Sequence, residues 1–307
     1  MTLQQLRQVL TIAESNSMNE AAKKLFVSQP NLSATVREVE EELGITVFMR
    51  NNRGITVTAE GEEFLGYAKQ VVEQYHLLEN RYLNVESKKK FSVSMQHYSF
   101  AVKAFVQLAK EVGMDEYEFA VHETKTKEVI DNVKNLKSEI GVLYLSDFNE
   151  KVLRKLFKEC DIEFKELFTC NTYVYLWKKH PLAGQKEITL DDLQEYPCLT
   201  FEQGVNNSFY YAEEMMSTYE YKRVIKADDR ATMLNLMVGL NGFTLCSGII
   251  SEDLNGDDYA AIPLKESEIM HIGYIKHKGT KLSKLGEIYI DAVSYTHLRA
   301  HETLSDL

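Results

Sequence analysis

The sequence predicts an α/β protein in parts: a small, mostly helical N-terminal domain, a long connecting helix, and a larger domain of alternating strands and helices. Three observations carry this. Two helix-start signals, at Ser17 and Ser28, stand too close together to flank anything but one short helix and a tight turn. A long helical pattern follows Thr58. Beyond Lys90, short apolar strands recur between helical stretches, the order that builds an α/β layer.

The N-terminal elements follow in order. Leu3, Leu6, Leu10 and Ala13 mark a first helix, started by a cap-like Thr2-Leu3-Gln4-Gln5. Ser17-Met18-Asn19-Glu20 is a capping box that opens a second helix, with Ala21, Ala22 and Leu25 as a close-packing face. Ser28 caps a third, whose first turn tolerates Pro30 because the amide proline lacks has no helical partner there. Leu32, Val36, Val39 and Leu43 share a core-facing side, while Gln29, Ser33 and Arg37 fall on another. Gly44 ends this helix as a left-handed cap. Ile45 to Val57 then alternates around Arg50-Asn51-Asn52-Arg53-Gly54, a short hairpin with two arginines at its tip. The ensemble is a winged helix-turn-helix. A polar helix N-terminus of this kind can enter a major groove, where Gln pairs with adenine and Arg with guanine, and wing arginines suit phosphate.

Charge qualifies that reading. The chain of 307 residues carries 35 Lys and Arg against 46 Asp and Glu, a net charge of −11. Residues 1–61 hold six basic groups (Arg7, Lys23, Lys24, Arg37, Arg50, Arg53) against seven acidic ones. Bulk attraction to a polyanion is therefore weak, but Glu38, Glu40, Glu41 and Glu42 lie toward the far end of the third helix, away from its amide-bearing and basic start. One copy makes few phosphate contacts, so useful affinity needs several copies acting together.

Thr58 caps the long helix, with Glu60, Glu62 and Glu63 in its first turn. On this helix of about 28 residues, Leu65, Ala68, Val72, Tyr75 and Tyr82 form one apolar stripe, interrupted by Glu79, and Phe64, Val71 and Leu78 an adjacent one. Such a surface predicts dimerisation through this helix; folding back on the rest of the chain is the alternative. Glu86-Ser87-Lys88-Lys89-Lys90 reads as a linker.

In the larger part, strands are expected at Phe91–Met95, Tyr117–Val121 and Ile140–Leu145, with helices near Phe100–Val112, Val129–Leu136 and Lys151–Lys158. A second group follows: a short helix capped by Thr189, a strand at Cys198–Glu202, a helix around Tyr211–Met216, a strand at Val224–Ala227, a helix through Met233–Leu240 and a strand at Phe243–Cys246. Ile272–Ile275 and a helix near Leu282–Val293 return to the first group. Residues 294–307 show no clear amphipathic period and read as a non-native tail.

Catalytic signatures are missing: no G-x-S-x-G, no phosphate-binding glycine loop and no H-E-x-x-H, so no enzyme, cofactor or metal is expected. Cys160, Cys170, Cys198 and Cys246 are widely spaced and read as buried free thiols, with redox sensing the lesser alternative. No apolar run approaches the roughly 18 residues of a membrane span and no signal-peptide order begins the chain, so a cytoplasmic protein is expected.

Ala21-Ala22, Leu25, Ser28-Gln29-Pro30, Leu32-Ser33, Glu40, Leu43-Gly44, Phe48, Arg50, Thr58 and Gly61 stand as in the DNA-binding domain of LysR-type transcriptional regulators, which the sequence resembles over some forty residues. Lys178–Ala183, Ile188–Phe201 and Met237–Gly248 resemble the effector domain of the same family. Ala34 departs from the pattern, where many members carry a longer polar or basic side chain. The resemblance implies a two-lobed α/β effector domain of the type 2 periplasmic-binding-protein kind. It divides the chain into residues 1–58 (winged helix-turn-helix), 59–90 (linker and dimerisation helix) and 91–293 (effector domain), with lobes at about 91–163 plus 269–293 and about 164–268. It implies double-stranded DNA with an interrupted inverted repeat as partner, a homodimer or homotetramer, RNA polymerase as a further partner and no membrane. Ser28, Gln29, Pro30, Ser33, Arg37, Arg50 and Arg53 would form the DNA-binding set.

Ligands of open α/β sheets bind beyond the strands' carboxyl ends. That rule points to the loops holding Ser99, Thr124, Thr126 and Phe201, the effector-site candidates, with Lys125 favouring an anionic effector. Helix caps and core packing are the plainer roles for these residues. The rival function is a small-molecule-binding protein whose N-terminal domain serves only assembly.

Overall fold

The computed structural model describes residues 1–15, 17–51, 54–82, 89–113, 116–206 and 208–305. They form two compact units, residues 1–87 and 88–307.

In the first unit, helices α1 (Leu3–Ala13), α2 (Met18–Lys24) and α3 (Gln29–Leu43) precede a hairpin of β1 (Phe48–Asn51) and β2 (Gly54–Val57) and the helix α4 (Ala59–Tyr82). Thr2 and Gln5 form a reciprocal capping box on α1. Ser17 and Ser28 accept from the N–H groups of Glu20 and Asn31 at the starts of α2 and α3. Gly44 caps α3 at φ +69°, a left-handed conformation open to glycine without strain. Val9, Ile12, Ala21, Leu32, Val36, Val39 and Val47 make the core. Leu43, expected to face it, is 37% exposed, because it sits in the final turn where the helix runs past the core.

Thr58 caps α4 through the Gly61 N–H at 2.9 Å. A Cβ on Gly61 would lie 2.3 Å from the Val47 carbonyl, so only glycine lets α4 start against the hairpin. The described part of the helix runs for 24 residues, to Tyr82, and the rest of the roughly 28 expected lies outside the described residues. Its two apolar sides also divide differently from the sequence pattern. Phe64 and Leu65 pack on the core and Ala68 is buried, whereas Tyr67, Val71, Tyr75 and Leu78 form an exposed stripe at steps of four, four and three.

The second unit has two lobes. Lobe I is a five-stranded sheet in the order β4-β3-β5-β12-β6, from β3 (Lys89–Met95), β4 (Tyr117–Glu123), β5 (Ile140–Leu145), β6 (Ile162–Cys170) and β12 (Met270–His277). Helices α5 (Ser99–Val112), α6 (Thr126–Lys134), α7 (Glu150–Glu159) and α10 (Lys284–Ser305) complete it. β3 runs parallel to β4 and β5, but β12 is antiparallel to both β5 and β6, so the sheet is mixed rather than largely parallel.

Lobe II holds an antiparallel sheet in the order β10-β7-β11, from β7 (Tyr173–Trp177), β10 (Thr244–Cys246) and β11 (Tyr259–Pro263), and a parallel pair of β8 (Cys198–Phe201) and β9 (Val224–Ala227). Helices α8 (Arg230–Leu240) and α9 (Glu252–Asn255) belong to it.

Three expectations are corrected here. β6 pairs with β12 through Cys170, so the chain leaves lobe I at Asn171 and Thr172 rather than near residue 164. The helix expected around Tyr211–Met216 is a 3₁₀ turn, Phe209–Tyr211, followed by irregular chain, because the Glu213 and Glu214 side chains turn inward to meet backbone N–H groups. Finally, α10 continues through Ser305, where no element was expected. The two connections between lobes are joined: Thr172 donates its N–H to Ser267 Oγ (2.8 Å) and its hydroxyl to the Glu268 carbonyl (2.9 Å).

Candidate functional site

Two regions gather the polar groups singled out in the sequence. The first is the α3 face with its hairpin. Ser28, Pro30 and Arg37 are exposed, and Gln29 and Ser33 half-buried. Gln29 Nε2 donates to Ser33 Oγ at 2.7 Å, which orients the amide along the helix face, one turn from Arg37. Glu40, by contrast, is structural. Its Oε1 accepts from the N–H groups of Val47 (2.7 Å) and Phe48 (3.0 Å), so the carboxylate on α3 fixes the root of the hairpin. Glu38 is also engaged, accepting from Gln5 Nε2 at 3.0 Å. Part of the acidic run therefore serves internal bonds. β1 and β2 pair from Phe48↔Val57 to Asn51↔Gly54, which carries the Arg50 backbone; its side chain and all of Arg53 lie outside the described residues. Between α2 and α3, Phe26 takes φ +55° and is 95% exposed, a position that no periodicity singles out.

The second region is a cavity of about 80 Å³ between the two lobes. Ser99, first residue of α5, and Phe201, last residue of β8, stand in its wall. The other two candidates do not. Thr126 is buried in the contact between lobes. Its hydroxyl donates to the Tyr211 carbonyl (2.8 Å) and accepts from Gln96 Nε2 (2.6 Å), and its N–H donates to Gln203 Oε1 (3.1 Å), which leaves it no donor for a ligand. Thr124 donates its hydroxyl to Glu128 on the next helix. Lys125 pairs with Asp228 at 3.4 Å.

The sequence reading missed the carboxyl pair that organises this region. Glu213 takes three hydrogen bonds: from the His97 N–H (2.9 Å) and His97 Nδ1 (2.8 Å) on one oxygen, and from Gln203 Nε2 (2.8 Å) on the other. Glu214 accepts from the Phe201 N–H at 2.8 Å. Burial, reinforced by Glu213, pushes the Glu214 carboxyl up to about 8, so it is largely protonated at neutral pH. Two adjacent acids amid Phe209–Tyr211 and Met215–Met216 were the available signal, since charged residues are rarely placed in so apolar a stretch without partners. Arg230, in the first turn of α8, also reaches the wall and pairs across the lobes with Glu123. Tyr144 of lobe I adds another link, donating to the Ala212 carbonyl at 3.1 Å.

The four thiols are free; Cys160, Cys170 and Cys198 are buried and Cys246 half-buried. Burial raises all four, Cys170 and Cys246 to about 12, which keeps them as unreactive thiols and weighs against redox sensing. Among the described residues there is no cluster of groups fit to hold a metal ion, and no helix long and apolar enough to cross a membrane.

Comparison with known proteins adds a family. The model for bacterial regulatory helix-turn-helix proteins of the lysR family matches residues 3–62, and that for the LysR substrate binding domain matches residues 96–294. The chain is 28% identical to the HTH-type transcriptional regulator CysL of Bacillus subtilis over 214 residues, 67% of this chain and 66% of CysL. It is similar in structure to a full-length OxyR variant from Pseudomonas aeruginosa, with TM-score 0.70, 19% identity, and coverage of 95% of this chain and 94% of that one. It is also similar to full-length CbnR in complex with its target DNA, with TM-score 0.58, 17% identity, and coverage of 96% and 100%. At such identities the two structures speak for the fold alone.

Proposed function

Since this chain belongs to the LysR family, with a helix-turn-helix domain followed by a LysR substrate-binding domain, we propose that it regulates transcription by binding double-stranded DNA at an interrupted inverted repeat under the control of a small-molecule effector. The observation that carries this reading is the polar face of α3, where Arg37 is exposed one turn from the Gln29–Ser33 pair and Glu40 holds the root of the hairpin. Gln29, Ser33 and Arg37 read base edges in the major groove; Ser28 and Pro30 set the helix start; Arg50 and Arg53 contact the phosphate backbone.

A single copy binds weakly, and the exposed Tyr67, Val71, Tyr75 and Leu78 stripe on α4 supports a homodimer built through that helix, with a homotetramer as the larger assembly. Residues 1–58 bind DNA, 59–90 link and dimerise, and 91–293 sense the effector. The tail from 294 onward takes no part; the substrate-domain match ends at residue 294. The effector sits between the lobes, in contact with Ser99 and Phe201, and favours one closure of the lobes over another. Regulation rather than catalysis is the function, in the cytoplasm, with RNA polymerase as the eventual partner.

A gel shift on the intergenic DNA beside the gene tests this. The wild-type protein should retard it in the presence of competitor DNA and Arg37→Ala should not; equal behaviour of the two, or no retardation by either, contradicts the reading.

A further inference from the structure

The inter-lobe cavity holds two buried hydroxyls that stand side by side. Thr244 on β10 and Tyr175 on β7 are register partners in an antiparallel pair, so both side chains leave the same face of the sheet. They are 6% and 8% exposed, and both line the cavity. Neither oxygen makes a well-formed hydrogen bond among the described residues, although the Asn255 side chain stands close enough to the Tyr175 hydroxyl to act on it. Unpaired buried hydroxyls are a cost to the empty protein that a bound molecule can remove.

The other polar groups of the wall say what kind of molecule. Glu213 has both oxygens engaged by Gln203 and His97. Glu214 already accepts from the Phe201 N–H, and near neutral pH its remaining capacity includes a donating O–H. Arg230 pairs with Glu123 through one nitrogen, and a guanidinium carries five N–H donors in all. It lines the same cavity as the two open hydroxyls, which brings a positive charge to that wall. What remains unspent in the wall thus includes two hydroxyls able to donate and one cation. Ser99, Ser247 and Asn255 also reach the wall, and its apolar part is made by Phe100, Met233, Met237, Ile249 and Ile250.

We propose that this cavity takes a compact organic carboxylate, its apolar body against Met233, Met237 and Ile249, its oxygens accepting from the Tyr175 and Thr244 hydroxyls, and Arg230 supplying the opposite charge. The assignment rests on the reading of the cavity as the effector site and narrows it to a chemical class.

The test uses the full-length protein and matched probes: benzoate and hexanoate, the alcohols benzyl alcohol and hexanol, and the amines benzylamine and hexylamine, followed by thermal shift and calorimetry at pH 7. Carboxylates should raise the melting temperature, and alcohols and amines should not. Tyr175→Phe and Thr244→Val should each weaken carboxylate binding roughly tenfold, the effect of one hydrogen bond to a charged group. Neither should lower the melting temperature of the unliganded protein, since each removes an unpaired hydroxyl. Preference for an amine, binding of none of the six, or carboxylate binding unchanged in both variants overturns the proposal. A separate arm measures DNA binding with a low-molecular-weight extract of the source cells. A response that survives in the Tyr175→Phe/Thr244→Val double variant overturns the carboxylate site and leaves the effector reading standing. No response from any fraction overturns both.

Discussion

The imidazole of His97 lies flat on the ring of Phe201, with centroids 3.7 Å apart and planes 6° from parallel. One ring comes from each lobe, and beneath the stack His97 meets Glu213 of lobe II at 2.8 Å in a setting where the two side chains are 6% and 3% exposed. A stacked pair and a buried polar contact thus meet at one point of the lobe interface, beside the links that Arg230, Tyr144 and Thr126 make across it. A ring pair contributes about 0.5–1.5 kcal/mol. Phe201→Ala should shift the domain toward open forms and speed hydrogen exchange of the amides in residues 203–214 by roughly two- to tenfold, in line with that magnitude. Unchanged exchange there would contradict the stack as a latch.

Glu214 ties stability to pH. Its carboxyl titrates at about 8 in the folded chain against an ordinary value of 4.5. Between those values the folded state keeps a proton that the unfolded state has lost. Stability from this group is thus complete below 4.5, falls as pH rises through the window, and is gone above about 8. At about 1.4 kcal/mol per pKa unit the fall is on the order of several kcal/mol. Tyr98 and Tyr144 of lobe I, and Glu213, Cys198 and Tyr221 of lobe II, act on the same site, and the three hydroxyls and the thiol are themselves raised, so none of these four titrates first. Melting temperatures at pH 5 and pH 8.5 should diverge in the wild type and converge in Glu214→Gln. An equal drop in both proteins would remove Glu214 as the cause.

The Glu40 carboxylate holds two hairpin amides. Glu40→Ala leaves both N–H groups without their acceptor, at about 1–3 kcal/mol for a buried donor. The variant should melt several degrees lower and bind DNA more weakly, since the hairpin loses its angle to α3. Full DNA affinity in a destabilised variant would show that the hairpin makes no contact with DNA.

Arg37 makes no ion pair among the described residues, so its removal leaves the fold intact. A bidentate base contact is worth about 1–3 kcal/mol. Arg37→Ala should keep the wild-type melting temperature and lose about that much specific affinity, while nonspecific binding stays the same. Fluorescence anisotropy with specific and scrambled duplexes separates the two.

The α4 stripe predicts the oligomeric state. Val71→Glu and Leu78→Glu place charge on exposed apolar positions that a monomer would tolerate. Sedimentation should show wild-type dimers or larger and monomers for the double variant, with DNA affinity falling alongside. A variant that assembles as the wild type does would place the dimer contact elsewhere.

The sequence revealed what local chemistry determines. Ser17, Ser28, Thr58 and Gly44 carry caps and turns in their own side chains or lack of one, and α1, α2 and α3 fall where those residues place them. It misled where tertiary contacts override local preference. The stretch around Glu213 and Glu214 looks helical, yet its carboxylates are drawn inward by the amides of His97 and Phe201, 116 and 13 residues away. Ser99 and Phe201 were legible as strand-end residues. Thr126 obeyed the same rule but spends its hydroxyl on Tyr211 and Gln96, partners no spacing reveals. The Tyr175–Thr244 pair was hidden for the same reason: it exists only because β7 and β10, far apart in the chain, come into register.

The claim that α3 reads DNA as one half of a symmetric pair is tested most directly by footprinting the full-length protein on the intergenic DNA beside its gene. The account predicts two protected half-sites related by inverted symmetry, with centres separated by about 10–10.5 base pairs or a multiple of it. Both should disappear together in Arg37→Ala. A single protected half-site, or protection that survives in Arg37→Ala, would contradict it.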